Sequence, residues 1–315
     1  MQNITFLDAS SLGGIDLRPL AEFGKLRLHP TTAAEETAAR LKDATIAITN
    51  KVVIHADAIA SASQLKLICV AATGTNCIDL KAAHSAGIPV CNVAGYSTAG
   101  VTQHTIGLLV NLATNMHRYT HEASQWADSP IFTRLDYPMI DLAGKTLGVV
   151  GLGTIGKSVA TAATALGMHV IALAREGASP DGEIPRVPRE AFFAQADAVS
   201  LHCPLTPETY QMINKDTLRL MKPSAFLINT GRGDLVHEHD LADALNNGTI
   251  AGAGLDVLTT EPPAKDHVLL EPTIPNLLIT PHTAWASIES RRRLLDGLVD
   301  NIKGHLAGNT PNLVT

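Results

Sequence analysis

The sequence predicts an α/β protein built from two doubly wound parallel-sheet domains. Short apolar runs rich in β-branched residues, bounded by Gly, Pro or Asn, alternate with longer helical patterns along the whole chain, as parallel strands joined by crossover helices require. The 315 residues, 45% of them hydrophobic, suffice for two cores of ordinary size. An irregular stretch through Trp126 and Pro138, ending in Leu142-Ala-Gly-Lys145, divides one series of strands from the next.

The first series predicts strands over Ile4 to Leu7, Ile46 to Thr49, Leu67 to Ala71 and Pro89 to Asn92, with a helix over Glu35 to Lys42. An apolar helical pattern then runs from Val101 to Arg118. The second series predicts Thr146 to Val150, His169 to Leu173, Ala198 to Leu201, Phe226 to Asn229, Ala251 to Asp256 and Leu277 to Ile279, and six strands suit a dinucleotide-binding sheet. A final helix over Ser287 to His305 has no strand after it and is expected to pack on the first domain, which gives the boundaries 1–98 plus 287–315 and 99–286. Arg291-Arg292-Arg293 is read as the solvated face of that helix.

Composition narrows the function classes. A net charge of -6, from 24 basic against 30 acidic side chains, offers no footprint for nucleic acid or an anionic membrane. The start lacks a basic segment followed by an apolar one, and no window reaches the roughly 18 apolar residues that span a bilayer, so a cytoplasmic location is expected. Cys69, Cys77, Cys91 and Cys203 show neither a C-x-x-C nor a zinc spacing. Reduced, mostly buried thiols and no metal are expected.

The run Val149-Val-Gly151-Leu-Gly153-Thr-Ile-Gly156 places G-x-G-x-x-G directly after a predicted strand and before a helix over Lys157 to Leu166. Gly151 allows the tight turn, Gly153 lets backbone N–H groups approach a pyrophosphate, and Gly156 lets helix and strand pack closely. This is the fingerprint of a Rossmann-like domain. The next strand should end in an acidic residue that binds the 2'-hydroxyl of NAD, but here it ends in Ala174-Arg175. A guanidinium there suits a 2'-phosphate, so NADP is expected to be accepted, with nearby Glu176 keeping NAD in play.

Arg232, Glu261 and His282 each lie just beyond a predicted strand of this domain, and the carboxyl ends of strands are where such sheets bind ligands. Arg232 has the planar fork that holds a carboxylate and polarises the adjacent carbonyl. His282 can give a proton to an alkoxide as hydride arrives, and Glu261 can orient its ring.

The chain resembles the D-2-hydroxyacid dehydrogenase family, and within it the glycerate dehydrogenase branch of hydroxypyruvate and glyoxylate reductases. The likeness spans nearly the whole length. It rests on Ala72-Thr-Gly-Thr-Asn76, Gly95-Tyr-Ser-Thr98, Val101-Thr-Gln-His104, the glycine fingerprint, His202-Cys-Pro-Leu-Thr-Pro-Glu208, Met221-Lys-Pro223, Asn229-Thr-Gly-Arg-Gly233, Leu255-Asp-Val257 and Pro281-His-Thr-Ala-Trp285. The resemblance implies reduction of a small 2-oxo acid by NADP or NAD, in an active-site cleft between the two domains.

It implies Arg232 as substrate anchor and Glu261 as partner of His282. It further implies Thr73 and Gly74 as carboxylate ligands through backbone N–H groups, with Lys51 and Trp285 as further substrate contacts. The cofactor set becomes Thr102 (or Gln103), Gly151, Gly153, Thr154, Ile155, Gly156, Arg175, Cys203, Pro204, Thr206, Thr230, Gly231, Asp256 and His282, with Asp256 on the carboxamide. The helix over 101–118 is expected to lead into a two-fold homodimer interface. The alternatives are a relative acting on a larger 2-oxo acid, phosphoglycerate or formate, and a dinucleotide-sensing corepressor-like protein without activity.

Overall fold

A computed structural model describes residues 1–175 and 182–314. The chain divides into two compact units, Met1–Ser97 with Trp285–Thr315, and Thr98–Ala284. In the first, strands β1 (Gln2–Phe6), β2 (Gly24–Leu28), β3 (Ile46–Thr49), β4 (Leu67–Val70) and β5 (Val90–Cys91) form a sheet of order β2-β1-β3-β4-β5 with every pairing parallel. Helices α1 (Thr37–Leu41), α2 (Ala56–Ser61) and α3 (Leu80–Ser85) belong to this unit. The inner strands β3 and β4 are buried at every residue, which is why they read as continuous apolar runs.

The second unit opens with α4 (Thr98–Thr114) and α5 (Met116–His121), then builds β6 (Thr146–Val150), α6 (Thr154–Ala165), β7 (His169–Leu173), β8 (Arg186–Val187) and α7 (Arg189–Gln195). It continues with β9 (Ala198–Leu201), α8 (Lys215–Leu220), β10 (Phe226–Asn229), α9 (Glu238–Asn246), β11 (Gly252–Leu255) and β12 (Leu277–Ile279). The seven strands are ordered β12-β11-β10-β9-β6-β7-β8, all parallel. One face carries a core of Leu108, Leu112, Val149, Val159 and Ile228, the other a core of Phe192, Phe193, Leu218, Leu241 and Leu245. Helices therefore cover both faces.

Finally α10 (Ile288–Leu306) belongs to the first unit, where Leu294, Leu298 and Ile302 join Phe6, Leu67 and Cys69 in one core. Its Gly297 lies so close to the sheet that a Cβ there would be 2.4 Å from Val93.

Four expectations need correction. Strands β2 and β8 were not expected; both are edge strands with half-exposed residues, so no apolar run announces them. The helix expected over 101–118 starts earlier and breaks at Asn115, whose backbone is left-handed (φ 51°) and whose Nδ2 donates to the Pro138 carbonyl. Asn tolerates that conformation and ends the helix locally. The helix expected over 35–42 is regular only over α1, after a 3₁₀ turn at Ala34–Glu36.

Of the three arginines, only Arg292 is a simple solvated side chain. Arg291 donates to the Leu12 and Ala286 carbonyls and Arg293 to the Tyr96 carbonyl, so both tie the helix to its own unit. Among the described residues no helix is long and apolar enough to cross a membrane, and no group of three or more metal-binding side chains occurs. All four cysteines are free thiols, Cys69 and Cys91 buried and the other two partly so.

Candidate active site

The order of the second sheet reverses at β6, whose neighbours are β7 and β9. Ligands bind at such switch points, beyond the carboxyl ends of the strands. Both loops leaving this point belong to the expected cofactor set. Gly151 has φ 97°, and a Cβ on it would lie 2.7 Å from the His202 carbonyl oxygen and 2.8 Å from the Cys203 nitrogen, so the turn after β6 and the Cys203-Pro204 loop after β9 touch through backbone. A Cβ at Gly156 would lie 1.9 Å from the Gly151 oxygen.

At Gly153, in contrast, a Cβ would meet nothing within 4 Å. The space before it is open, and Gly153 caps α6, so the first-turn N–H groups of Thr154, Ile155 and Gly156 face it. These are the conditions a pyrophosphate needs. Thr102 Oγ1, assigned to the same ligand, is buried without a partner. Arg175 is exposed after β7, while Glu176 lies outside the described residues.

His202, beside this turn, keeps some accessible surface but has densely packed surroundings. Burial pushes its pKa down to about 4, and its Nε2 pairs with Ser200 Oγ at 2.8 Å.

The catalytic candidates come from the loops after β10, β11 and β12. After β10, the buried Asn229 side chain staples the turn: its Oδ1 accepts from Gly231 N–H and its Nδ2 donates to the Arg232 carbonyl. Thr230 Oγ1 lies 3.0 Å from Thr105 Oγ1. Arg232 Nη1 donates to the Gly231 carbonyl, using one of its five N–H donors and fixing the guanidinium against its own turn.

After β11, Glu261 bridges two partners. Its Oε1 accepts from Leu258 N–H at 3.0 Å, and its Oε2 lies 2.5 Å from His282 Nδ1. The carboxylate therefore holds the ring by one nitrogen and leaves Nε2 as the working atom. Two further residues brace this loop. Glu238 accepts from Thr259 N–H at 2.9 Å and pairs with His267 at 3.0 Å. Gly233 packs against it so tightly that a Cβ would lie 2.0 Å from the Leu258 carbonyl carbon.

After β12, His282 has a left-handed backbone (φ 52°), and its N–H donates to the Asp256 carbonyl at 2.8 Å. The Asp256 side chain, 1% exposed, shapes the same turn by accepting from Thr280 Oγ1, Thr283 N–H and Ala284 N–H at 2.5 to 2.9 Å. His104 Nε2 completes the cluster at 2.8 Å from Thr280 Oγ1. A buried carboxylate satisfied in this way pins the turn that carries the histidine.

In the first unit the sheet order reverses at β1 and β3. The carboxylate of Asp8, after β1, accepts from the backbone N–H groups of Asn50, Lys51 and Val52, after β3. Lys51 thus stands at a switch point on a loop gathered by a buried acid. The Thr73-Gly74 loop follows β4 and is tied to the segment after β5, because Thr73 Oγ1 donates to the Val93 carbonyl and Asn92 Nδ2 to the Thr73 carbonyl. Trp285 packs edge-on against Tyr96, ring centroids 6.2 Å apart, at the rim of the core.

Sequence reasoning gave no role to Asp8, Asn229, Gly233, Glu238 or His104. Asn229 alone carries a readable signal, a polar residue closing an otherwise apolar strand before glycine.

Comparison with known proteins agrees with this geometry. The model of the D-isomer specific 2-hydroxyacid dehydrogenase NAD-binding domain matches residues 106–284. A glycerate dehydrogenase of Methylorubrum extorquens is 42% identical over 315 residues, covering 99% of both chains. A hydroxypyruvate reductase of Blautia hydrogenotrophica is 38% identical over 320 residues, again covering 99% of each. Among solved structures, an acyclic imino acid reductase in complex with NADPH and D-Arg superposes with a TM-score of 0.87 at 28% identity, covering 99% of this chain and 100% of that one. With a dinucleotide cradle and a paired histidine at the carboxyl ends of one sheet, and relatives of this identity along its whole length, the chain belongs to the D-isomer specific 2-hydroxyacid dehydrogenase family.

Proposed function

We propose that this enzyme reduces hydroxypyruvate or glyoxylate to D-glycerate or glycolate, with NADPH accepted alongside NADH. The observation that carries the reading is the Glu261–His282 pair at 2.5 Å, held by the Asp256 turn on the sheet that bears the glycine cradle. The names of the relatives supply the substrate class.

The nicotinamide cofactor, when bound, supplies or accepts hydride at the substrate C2. Gly153 and the first turn of α6 would hold its pyrophosphate, Thr102 its nicotinamide end, and Arg175 a 2'-phosphate. Asp256 Oδ2, which accepts one N–H in the structure, has a lone pair left for a carboxamide.

Arg232 binds the substrate carboxylate and polarises the C2 carbonyl, and the Thr73-Gly74 amides and Lys51 contribute from the first unit, with Trp285 lining the substrate. His282 Nε2 delivers a proton to the C2 oxygen as charge develops there, while Glu261 keeps Nδ1 occupied and stabilises the cationic ring. In the oxidative direction the same nitrogen removes the proton. Within this division of labour the first unit adds substrate contacts, and the second binds the dinucleotide and carries Arg232 and His282.

The active form is a homodimer working in the cytoplasm. The stretch after α4 exposes Met116, Trp126, Ile131, Phe132, Leu135 and Met139, with Phe132 88% accessible, an apolar load that monomers seldom leave in water. Sedimentation at micromolar protein should give twice the chain mass.

The decisive experiment follows the absorbance of NADPH and NADH with a panel of 2-oxo acids that includes hydroxypyruvate, glyoxylate, pyruvate, a branched 2-oxo acid and phosphohydroxypyruvate. The highest kcat/KM is expected with hydroxypyruvate or glyoxylate. A higher value for any other acid overturns the substrate class, and turnover of none overturns the enzyme reading.

A further inference from the structure

Cys69 on β4 and Cys91 on β5 are register partners in the first sheet. Both are fully buried, with their Sγ atoms 3.5 Å apart. No step above uses either thiol. The nearest other recorded partner is the Ile68 carbonyl, 3.7 Å from Cys91 Sγ. Two sulfurs at that separation are already in contact, and the Cα positions of paired neighbouring strands fall within the range a disulfide spans.

On the sheet face the pair lies in the core under α10, but toward the sheet edge its cover is slight. β5 is two residues long and forms the sheet edge. Its open side is closed by the irregular segment 312–314, through Asn92 N–H to the Asn312 carbonyl, Val314 N–H to the Val90 carbonyl, and the bridge of Cys91 with Leu313. Leu313 is 52% exposed. A segment with so few buried contacts opens far more often than the core beneath it.

We propose that Cys69 and Cys91 form a redox-modifiable pair whose closure to a disulfide lowers turnover by shifting the Thr73-Gly74 loop. The effect on activity rests on that loop binding substrate, as proposed above. The disulfide itself does not.

A disulfide needs sulfurs about 2.05 Å apart, so the pair must close by about 1.5 Å. The short edge strand yields more readily than β4, which is flanked by β3 and β5. The displaced segment carries Asn92 and Val93, which hold Thr73 through the Asn92 Nδ2 to Thr73 carbonyl bond and the Thr73 Oγ1 to Val93 carbonyl bond, while Val93 N–H donates to the Ala72 carbonyl.

The oxidant is a low-molecular-weight disulfide. When the 312–314 cover opens and the two-residue strand β5 frays from the edge, the Cys91 thiolate attacks the oxidant and expels one small thiolate. The Cys69 thiolate then attacks the mixed disulfide at the Cys91 sulfur and expels the second. The protein loses two electrons and two protons, and the reagent, taking both, becomes two thiols. With the cover closed, hydrogen bonding to Cys91 and burial hold the Cys69 thiol well above the ordinary thiol range, which keeps Cys69 unreactive at rest.

The test treats the enzyme with cystamine, maps disulfides by peptide mass and follows kcat/KM over the same time course. A Cys69–Cys91 cross-linked peptide should accumulate as activity falls about tenfold, the scale of a loop displaced by less than 1 Å, and dithiothreitol should reverse both. Cys91→Ala should lose no more than a small fraction of its activity under the same treatment. Absence of the cross-linked peptide after complete reaction refutes the pair. Cross-linked protein with full activity refutes the switch but leaves the substrate reading standing, and equal loss in Cys91→Ala assigns the effect to Cys77 or Cys203 and refutes it too. If Cys91→Ala does not fold, the coincidence of cross-linking and inactivation in the parent enzyme decides. If the reduced enzyme turns over no 2-oxo acid, the substrate reading fails, and the cross-link map still decides the pair.

Discussion

Gly233→Ala should cost far more than the addition of one methyl group suggests. The new Cβ would lie 2.0 Å from the Leu258 carbonyl carbon, 2.2 Å from its oxygen and 2.3 Å from Thr259 N. Non-bonded carbons settle near about 3.5 Å, so one backbone must retreat by about 1.5 Å. If the loop after β10 yields, it carries Arg232. If the loop after β11 yields, it carries Glu261 away from His282 and loosens the Leu258 N–H bond to Glu261. Either way a reacting group is misplaced by more than 1 Å, which costs about a hundredfold in rate, or about 2.7 kcal/mol in the barrier. Overpacking should also remove about 1–3 kcal/mol of stability. Initial rates with hydroxypyruvate measure the first effect and thermal melts the second. A variant with kcat within about threefold of the parent and an unchanged melt would show that this close approach does not position the catalytic groups.

His282→Ala should lower kcat by about two to four decades, the usual worth of a general acid, and a loss below tenfold would remove His282 from proton transfer. Arg232→Ala should raise KM and lower kcat together, because the same fork binds the carboxylate and polarises the carbonyl; unchanged kinetics would exclude it. Arg175→Ala should cut kcat/KM with NADPH by about tenfold or more while sparing NADH, given the strength of charged hydrogen bonds to phosphate; equal losses would place the 2'-phosphate elsewhere. The pKa of His202 is depressed in the folded state, so between its unfolded value and about 4 the unfolded chain binds the extra proton, and stability is lost as pH falls through that window. The loss attributable to this residue is on the order of 1–3 kcal/mol, and urea melts at pH 7 and pH 5 should show a smaller difference for His202→Gln than for the parent.

Legibility in the sequence followed burial. Strands β3, β6, β7, β9 and β10 have the residues expected for them, and so does β12, an edge strand that is only half-buried but carries the apolar run Leu-Leu-Ile. Inner strands of a parallel sheet are buried on both faces, so their β-branched runs stand out against polar loops. Edge strands lack that pressure, and β2, with the sequence Gly-Lys-Leu-Arg-Leu and an exposed leucine, looks like a loop until β1 pairs with it. The break at Asn115 was hidden because its cause, the Pro138 carbonyl, is 23 residues away.

The site divides in the same way. Arg232, Glu261 and His282, the set proposed above, stand out in the sequence because chemistry restricts the residue types that suit such a reaction and a strand end tells where to look. The residues that aim them do not, because each acts through backbone groups distant in sequence: Asp8 on 50–52, Glu238 on Thr259, Gly233 on Leu258.

Asp256 shows how far one such residue reaches. A histidine with positive φ is an unfavourable local choice, so something outside the tripeptide must favour the turn. The Asp256 carbonyl accepts the His282 N–H, and its carboxylate accepts two N–H groups and one hydroxyl from the residues on either side. That leaves the ring free to swing only about its side-chain bonds, and Glu261 Oε2 fixes it there through Nδ1. Position and orientation of His282, the proposed proton donor, are thus set by two different carboxylates. Asp256→Asn keeps the size of the side chain but replaces one acceptor oxygen with a donor NH₂, which must face either the Thr280–Thr283 pair or Ala284 N–H. It should therefore lower kcat more than it raises KM for the 2-oxo acid, because Arg232, the proposed substrate anchor, sits on a turn stapled by Asn229 instead. The opposite split, a raised KM with kcat preserved, would mean that Asp256 acts on ligand binding and that the His282 turn holds without it.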